Sequence, residues 1–147
     1  HQIEGYNSRV DGMQAAILSV KLKHLSGWTA QRRAVAKRYS EMLRNILELT
    51  LPKNFPDGES VYHLYVIRSQ KRDALRQHLK EKGIEAGVHY PIGLPFLRAY
   101  KHLGHTEKDF PNTARFQREI LSLPLYPELS ENNQQYIIKS IRELFFV

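Results

Sequence analysis

The sequence predicts an α+β domain, and three observations predict it. Val61-Tyr62-His63-Leu64-Tyr65-Val66-Ile67 is rich in β-branched and aromatic residues and apolar on both faces, as a strand of a covered sheet should be. Segments on either side of it repeat their apolar residues at helical spacing. A strand, a helix and a second strand then follow with short connections, which makes a split α/β unit. At 147 residues the chain has the size of one ordinary domain and can bury a core without metals or disulfides.

Composition narrows the chemistry. With no cysteine there is neither a disulfide framework nor a thiolate, which fits a reducing, cytoplasmic setting. No apolar run approaches the ~18 residues of a membrane span, and no signal peptide is visible. A net charge of +7 favours an acidic partner, whether nucleic acid, anionic membrane or a phosphorylated small molecule, without choosing among them. The chain opens His1-Gln2-Ile3 rather than with Met, which leaves room for a processed product or a piece of something longer.

The stretch Gly5-Tyr6-Asn7-Ser8-Arg9-Val10-Asp11-Gly12 puts an amide donor, a guanidinium and an acid into a turn that runs into a helix. Such a turn offers fork-shaped donors and the positive end of a helix dipole to a phosphate or carboxylate. From Val10 to Leu25 there are two apolar rows, Met13, Ile17 and Val20 on one side and Leu18, Leu22 and Leu25 on another. A helix covered by one small domain shows a single stripe, so one row is meant for a neighbour. Ser26-Gly27 is expected to break this helix, and Thr29 to cap a second one with a stripe of Trp28, Val35, Tyr39, Met42 and Ile46. Its other face carries Arg32, Arg33, Lys37 and Arg44, which is either a solvated face or a basic surface for nucleic acid.

Leu49 to Pro52 reads as a short strand, and Phe55-Pro56-Asp57-Gly58 as a turn. His63 reads as a packed core or sheet residue. Lys71 to Lys82 is amphipathic, with Leu75 and Leu79 inward and Gly83 just past the helix end. Ile84 to Tyr90 reads as a further strand, and Pro91-Ile92-Gly93-Leu94-Pro95 must be irregular because proline removes donors and restricts its predecessors. Phe96 to Leu103 suits a short helix; His102 and His105 lack the third ligand a metal needs. Pro111 opens a helix through Ile120, Leu121 to Leu125 is extended, and Ser130 caps a last helix burying Ile137, Ile138, Ile141 and Leu144.

No serine has a Gly-x-Ser-x-Gly context, and no glycine cluster follows a strand and opens a helix, which removes the acyl-transfer and Walker or dinucleotide signatures. A resemblance goes further. Gly5-Tyr6-Asn7-Ser8-Arg9, Gln14-Ala15-Ala16, Trp28 with Arg32-Arg33, Tyr62-His63-Leu64-Tyr65-Val66, Gly83-Ile84, His89-Tyr90-Pro91, Phe110-Pro111 and Leu121-Ser122-Leu123-Pro124-Leu125-Tyr126-Pro127 fall in the order seen in one family. From Gly5 to about Ile141 the chain resembles the C-terminal part of the DegT/DnrJ/EryC1/StrS sugar aminotransferases.

The resemblance implies the small C-terminal domain of a fold-type I aminotransferase, a short, mostly antiparallel sheet covered by helices and preceded by a long broken interdomain helix. Residues 1–27 would be the interdomain turn and helix, and 28–147 the small α+β domain. It implies a pyridoxal-phosphate enzyme that transfers an amino group, typically from glutamate, to a keto sugar nucleotide as a homodimer, with no nucleic-acid or membrane partner. The family's Schiff-base lysine and its carboxylate partner lie in an N-terminal domain that this sequence lacks, so the fragment alone is expected to be inactive. Asn7 and Arg9 match the residues that reach the partner subunit's cofactor phosphate; otherwise Asn7 is a helix cap and Arg9 a surface residue. His89 and Tyr90 match the motif bordering the substrate loop, against strand packing as the alternative. Two positions depart from the family: Val10 replaces a common methionine, and Pro95 stands where many members have histidine. A non-catalytic regulatory domain of the same fold and a basic nucleic-acid module remain the competing readings.

Overall fold

Two short strands hold the domain together, and sequence alternation explains why. β1 (Tyr65–Arg68) pairs antiparallel with β2 (Ile120–Leu123), Tyr65 opposite Leu123 and Ile67 opposite Leu121. These four side chains are buried on one face, as a period of two requires. Single bridges extend the sheet at each side, Thr50 to Arg68 and Gly87 to Ser122. The computed structural model describes residues 2–7, 10–53 and 57–146, so Ser8, Arg9 and the Phe55-Pro56 part of the expected turn lie outside the described residues.

Helices α2 (Leu25–Leu43), α3 (Arg72–Glu81) and α5 (Glu131–Phe145) cover that apolar face. Leu75 and Leu79 of α3 and Ile137, Ile138 and Ile141 of α5 are buried there, and Leu144 partly. α3 ends as its sequence specifies. Gly83 adopts φ +74°, its N–H donates to Lys80 O at 3.0 Å, and Ile84 N–H donates to Leu79 O at 2.8 Å. That paired closure needs a left-handed residue, which glycine supplies without a Cβ clash. α5 starts at Ser130, whose hydroxyl accepts from Asn133 N–H at 3.2 Å. On the sheet's second face lies α4 (Pro111–Glu119), where Phe116 supports the Arg68 guanidinium at 4.1 Å.

Several expectations are corrected. The break between the first two helices falls at Lys23-His24, and α2 runs straight through Ser26-Gly27 and Thr29. A single glycine weakens a helix by only about 1 kcal/mol, and the packing of α2 outweighs that. The buried stripe of α2 is Val35, Ala36, Tyr39 and Leu43, continued by Ile46, while Met42 is 40% exposed. The strand is shorter than Val61 to Ile67, because Tyr62 adopts φ +47° and its N–H turns to the Ser60 hydroxyl. His63 is accordingly exposed rather than packed, with its carbonyl accepting from Arg32 at 3.4 Å. Leu49 to Pro52 and Ile84 to Tyr90 shrink to the bridges at Thr50 and Gly87. Residues 94–103 form 3₁₀ turns, Leu94–Phe96 and Arg98–Leu103.

Ahead of this body stands α1 (Gly12–Leu22), none of whose residues is buried. Both apolar rows are open: Met13, Ile17, Leu18, Val20, Leu22 and Leu25 are all between 52% and 76% exposed. Among the described residues, no helix is long and apolar enough to cross a membrane.

Candidate functional site

The N-terminal turn is built by its own helix start. Asp11 is the N-cap of α1 in extended conformation, and its Oδ1 accepts from Gln14 N–H at 2.8 Å. The Gln14 side chain reaches back, its Oε1 accepting from Val10 N–H at 3.1 Å, close to a reciprocal capping box. The helix's positive end is therefore already met by a carboxylate. An anion approaching this turn must be bound by side chains rather than by the dipole of α1. Asn7 precedes the turn and is exposed. Immediately before Gly5, Glu4 interacts with Tyr100 and raises its phenol above its ordinary range.

His89 and Tyr90 form a second group at the other end of the Gly87 bridge. Both are exposed, their rings meet edge to face with centroids 5.8 Å apart, and the peptide between them is cis. His89 Nδ1 lies 2.9 Å from Ser122 Oγ. The loop that follows is fastened to α4, for Gly93 N–H donates to Gln117 Oε1 at 2.8 Å. A Cβ at residue 93 would stand 2.3 Å from Thr113 Cγ2, so the loop lies flat on that helix. Ser122, Gly87, Gly93 and Gln117 were not singled out by sequence patterns. A serine alternating with leucines in Leu121-Ser122-Leu123 was the available sign that something polar covers the strand's second face.

The basic face of α2 is largely committed inside the domain. Arg32 Nη1 donates to Leu125 O at 3.1 Å, and Arg33 donates to Ser60 O at 2.9 Å while pairing with Glu59 at 2.7 Å. Lys37 pairs loosely with Glu41 at 3.9 Å, and both Lys37 and Arg44 are exposed. Among the described residues no three His, Asp or Glu side chains converge as a metal site would require. His102 Nδ1 instead lies 3.1 Å from Ala99 O, and His105 packs edge-on against Phe110.

The model of the DegT/DnrJ/EryC1/StrS aminotransferase family matches residues 1–142. The chain belongs to that family. A pleiotropic regulatory protein of Geobacillus stearothermophilus is 44% identical over 99% of this chain and 40% of its own length. A dTDP-3-amino-3,4,6-trideoxy-alpha-D-glucose transaminase of Streptomyces venezuelae is 38% identical over 97% of this chain and 38% of its own. The crystal structure of DesV from S. venezuelae, in complex with a ketimine intermediate, superposes with a TM-score of 0.91 at 37% identity, covering all of this chain and 40% of that one. A Streptococcus pneumoniae protein assigned as a sugar aminotransferase, in its PLP form, gives a TM-score of 0.76 at 28% identity over 85% of this chain and 33% of that one. This DegT/DnrJ/EryC1/StrS chain thus spans about two fifths of the curated relatives it matches. Its small α+β body, short antiparallel sheet and leading helix are the architecture of the fold-type I small domain.

Proposed function

We propose that this chain is the C-terminal part of a cytoplasmic, pyridoxal-phosphate-dependent aminotransferase. The whole protein would move an amino group from an amino acid, glutamate in the first instance, onto a keto carbon of a nucleotide-linked sugar. Residues 1–27 serve as interdomain turn and helix and 28–147 as the small domain. The observation that carries this reading is α1. Its apolar residues are more than half exposed on two sides, and burying them would contribute roughly 5–10 kcal/mol, comparable to the whole stability of a domain. A helix with that much to gain is built to be covered, here by a larger domain that joins it in the complete protein.

Pyridoxal phosphate, when bound, supplies the electron sink that lets an amino group pass between two carbons. The residues present suit its phosphate end. By position in the family Asn7 brings an amide and Arg9 a guanidinium, and the Asp11 carboxylate is occupied by Gln14. As a homodimer, each subunit would hold the phosphate of the other's cofactor. No lysine of this chain is assigned to the cofactor aldehyde. His89 and Tyr90 would present their polar atoms to the sugar nucleotide, and the Gly93 loop would line the same side.

The test is cofactor affinity of the full-length protein. Asn7→Ala and Arg9→Ala each remove a charge-assisted hydrogen bond of about 1.5–3 kcal/mol, so each should weaken pyridoxal phosphate retention by roughly 10- to 150-fold with the fold intact. Unchanged affinity in both variants would overturn the phosphate assignment. The 44% identity to a pleiotropic regulatory protein favours a second reading, a regulatory member without amino transfer. Full-length protein that binds the cofactor but exchanges no amino group with glutamate would select it. A nucleic-acid role is disfavoured by the committed arginines of α2, and duplex binding that falls steeply with salt would restore it.

A further inference from the structure

Ser122 sits between Leu121 and Leu123, whose side chains enter the core. Alternation sends its own side chain to the sheet's other face, yet it is only 4% exposed. The His89 ring covers it, with Nδ1 2.9 Å from Oγ. Gly87 supplies the room, because a Cβ there would stand 2.5 Å from His89 Cε1 and 3.3 Å from both ring nitrogens. Gly87 is also tied to Ser122 by two backbone hydrogen bonds of 3.1 and 2.7 Å, so hydroxyl and ring are held from one bridge. Tyr90 abuts the ring edge to face. Among the described residues, Nε2 has no partner.

This arrangement selects a tautomer. A buried serine hydroxyl needs an acceptor for its hydrogen, and the acceptor in reach is Nδ1. A neutral imidazole that accepts at Nδ1 carries its proton on Nε2. We propose that Ser122 is a positioning residue which, with Gly87 as the space that admits the ring, fixes His89 as an Nε2–H donor aimed at an oxygen acceptor of the nucleotide sugar. The acceptor is a sugar hydroxyl or a diphosphate oxygen. The inference rests on the functional reading above only for the identity of that ligand.

Two measurements on the full-length protein separate the positioning from the ligand. In protein labelled with ring-¹⁵N histidine, the His89 signals are those lost in His89→Gln. Wild-type protein should show one tautomer protonated on Nε2, and Ser122→Ala should show both. A wild-type proton on Nδ1, or a Ser122→Ala spectrum equal to wild type, overturns the positioning whatever the protein binds.

The second measurement titrates dTDP-glucose and dTDP. Ser122→Ala should weaken dTDP-glucose binding roughly three- to tenfold, the loss expected for one neutral hydrogen bond. Ser122→Thr, which keeps the hydroxyl, should restore it, and Ser122→Ala should add nothing in the His89→Gln background. Additive losses would mean that Ser122 acts through the fold rather than through His89, and would overturn the proposal. A loss confined to dTDP-glucose assigns the acceptor to the sugar, and an equal loss for dTDP assigns it to the diphosphate. Wild-type protein that binds none of dTDP-glucose, dTDP and UDP-N-acetylglucosamine, with the ring spectrum as expected, overturns the nucleotide-sugar ligand and the functional reading with it.

Discussion

Replacing Gly93 by alanine should lift the loop after His89-Tyr90-Pro91 off α4. Gly93 has φ −63° and ψ 145°, which any residue adopts, so the backbone is no obstacle and the whole effect is steric. The new methyl would stand 2.3 Å from Thr113 Cγ2 and 3.4 Å from Phe96 Cδ2. Neither neighbour can simply swing away, because Thr113 is β-branched on a helix and Phe96 packs against Phe110 with centroids 6.5 Å apart. Overpacking of this kind costs about 1–3 kcal/mol, offset by about 0.4–1 kcal/mol from the stiffer unfolded chain. The net is about 1–2 kcal/mol, or a fall in Tm of roughly 3–6 °C by calorimetry for a domain of this size. Thr113→Ser removes the clashing methyl and should recover most of the loss. Gly93→Ala melting with wild type, or Thr113→Ser failing to rescue it, would refute the close approach as the reason for glycine here.

Two further outcomes test how α2 and α5 are fastened. The Tyr39 hydroxyl donates to Pro124 O at 3.0 Å from a fully buried ring, so Tyr39→Phe should cost about 1–2 kcal/mol in denaturant unfolding. Stability should also bend with pH at both ends. Glu143 is held below its ordinary range by a hydrogen bond from Lys82, and Asp109 by Thr106, so their contribution is present above the unfolded carboxylate range and lost as pH falls below about 4. Tyr39 and Tyr65 are raised by burial, so theirs is present below about pH 10 and lost as pH rises past it. Thermal melts of Lys82→Met should show a flatter acid limb and those of Tyr39→Phe a flatter alkaline one; unchanged limbs would remove these groups from the account.

The elements that sequence specifies by itself are those whose signals are local. Ser130 caps because its hydroxyl finds Asn133 N–H within its own turn, and Gly83 ends α3 because the left-handed position is the next residue. Pro111 opens α4 for a similarly local reason. The sheet was less legible. Val61 to Ile67 has strand composition throughout, but whether a residue pairs depends on a partner some fifty positions away, and β2 offers register only to Tyr65–Arg68. Tyr62 leaves the strand to reach Ser60 and packs its ring on Tyr65, a choice made by tertiary contacts that composition cannot carry. The site followed the same division. Asn7 and the His89-Tyr90 pair are proposed from a family resemblance alone, whereas Ser122, Gly87 and Gln117 enter through contacts between segments far apart in sequence.

The capped start of α1 adds a constraint to the cofactor assignment. Many phosphate sites use the bare N–H groups of a helix N-terminus, but here the Asp11 carboxylate already takes the Gln14 N–H and places a negative charge at that end of α1. A phosphate held by Asn7 would therefore depend on where the 2–7 segment is laid, and Glu4 of that segment interacts with Tyr100, on the 3₁₀ turn that continues the Gly93 loop. The loop that would border the sugar nucleotide and the segment that would touch the cofactor phosphate are thus linked through Glu4 and Tyr100. Tyr100→Phe in the full-length protein should in consequence weaken pyridoxal phosphate retention several-fold, since a lost hydrogen bond of about 0.5–1.5 kcal/mol changes an equilibrium by that much. Retention equal to wild type would leave the N-terminal segment positioned by the larger domain alone.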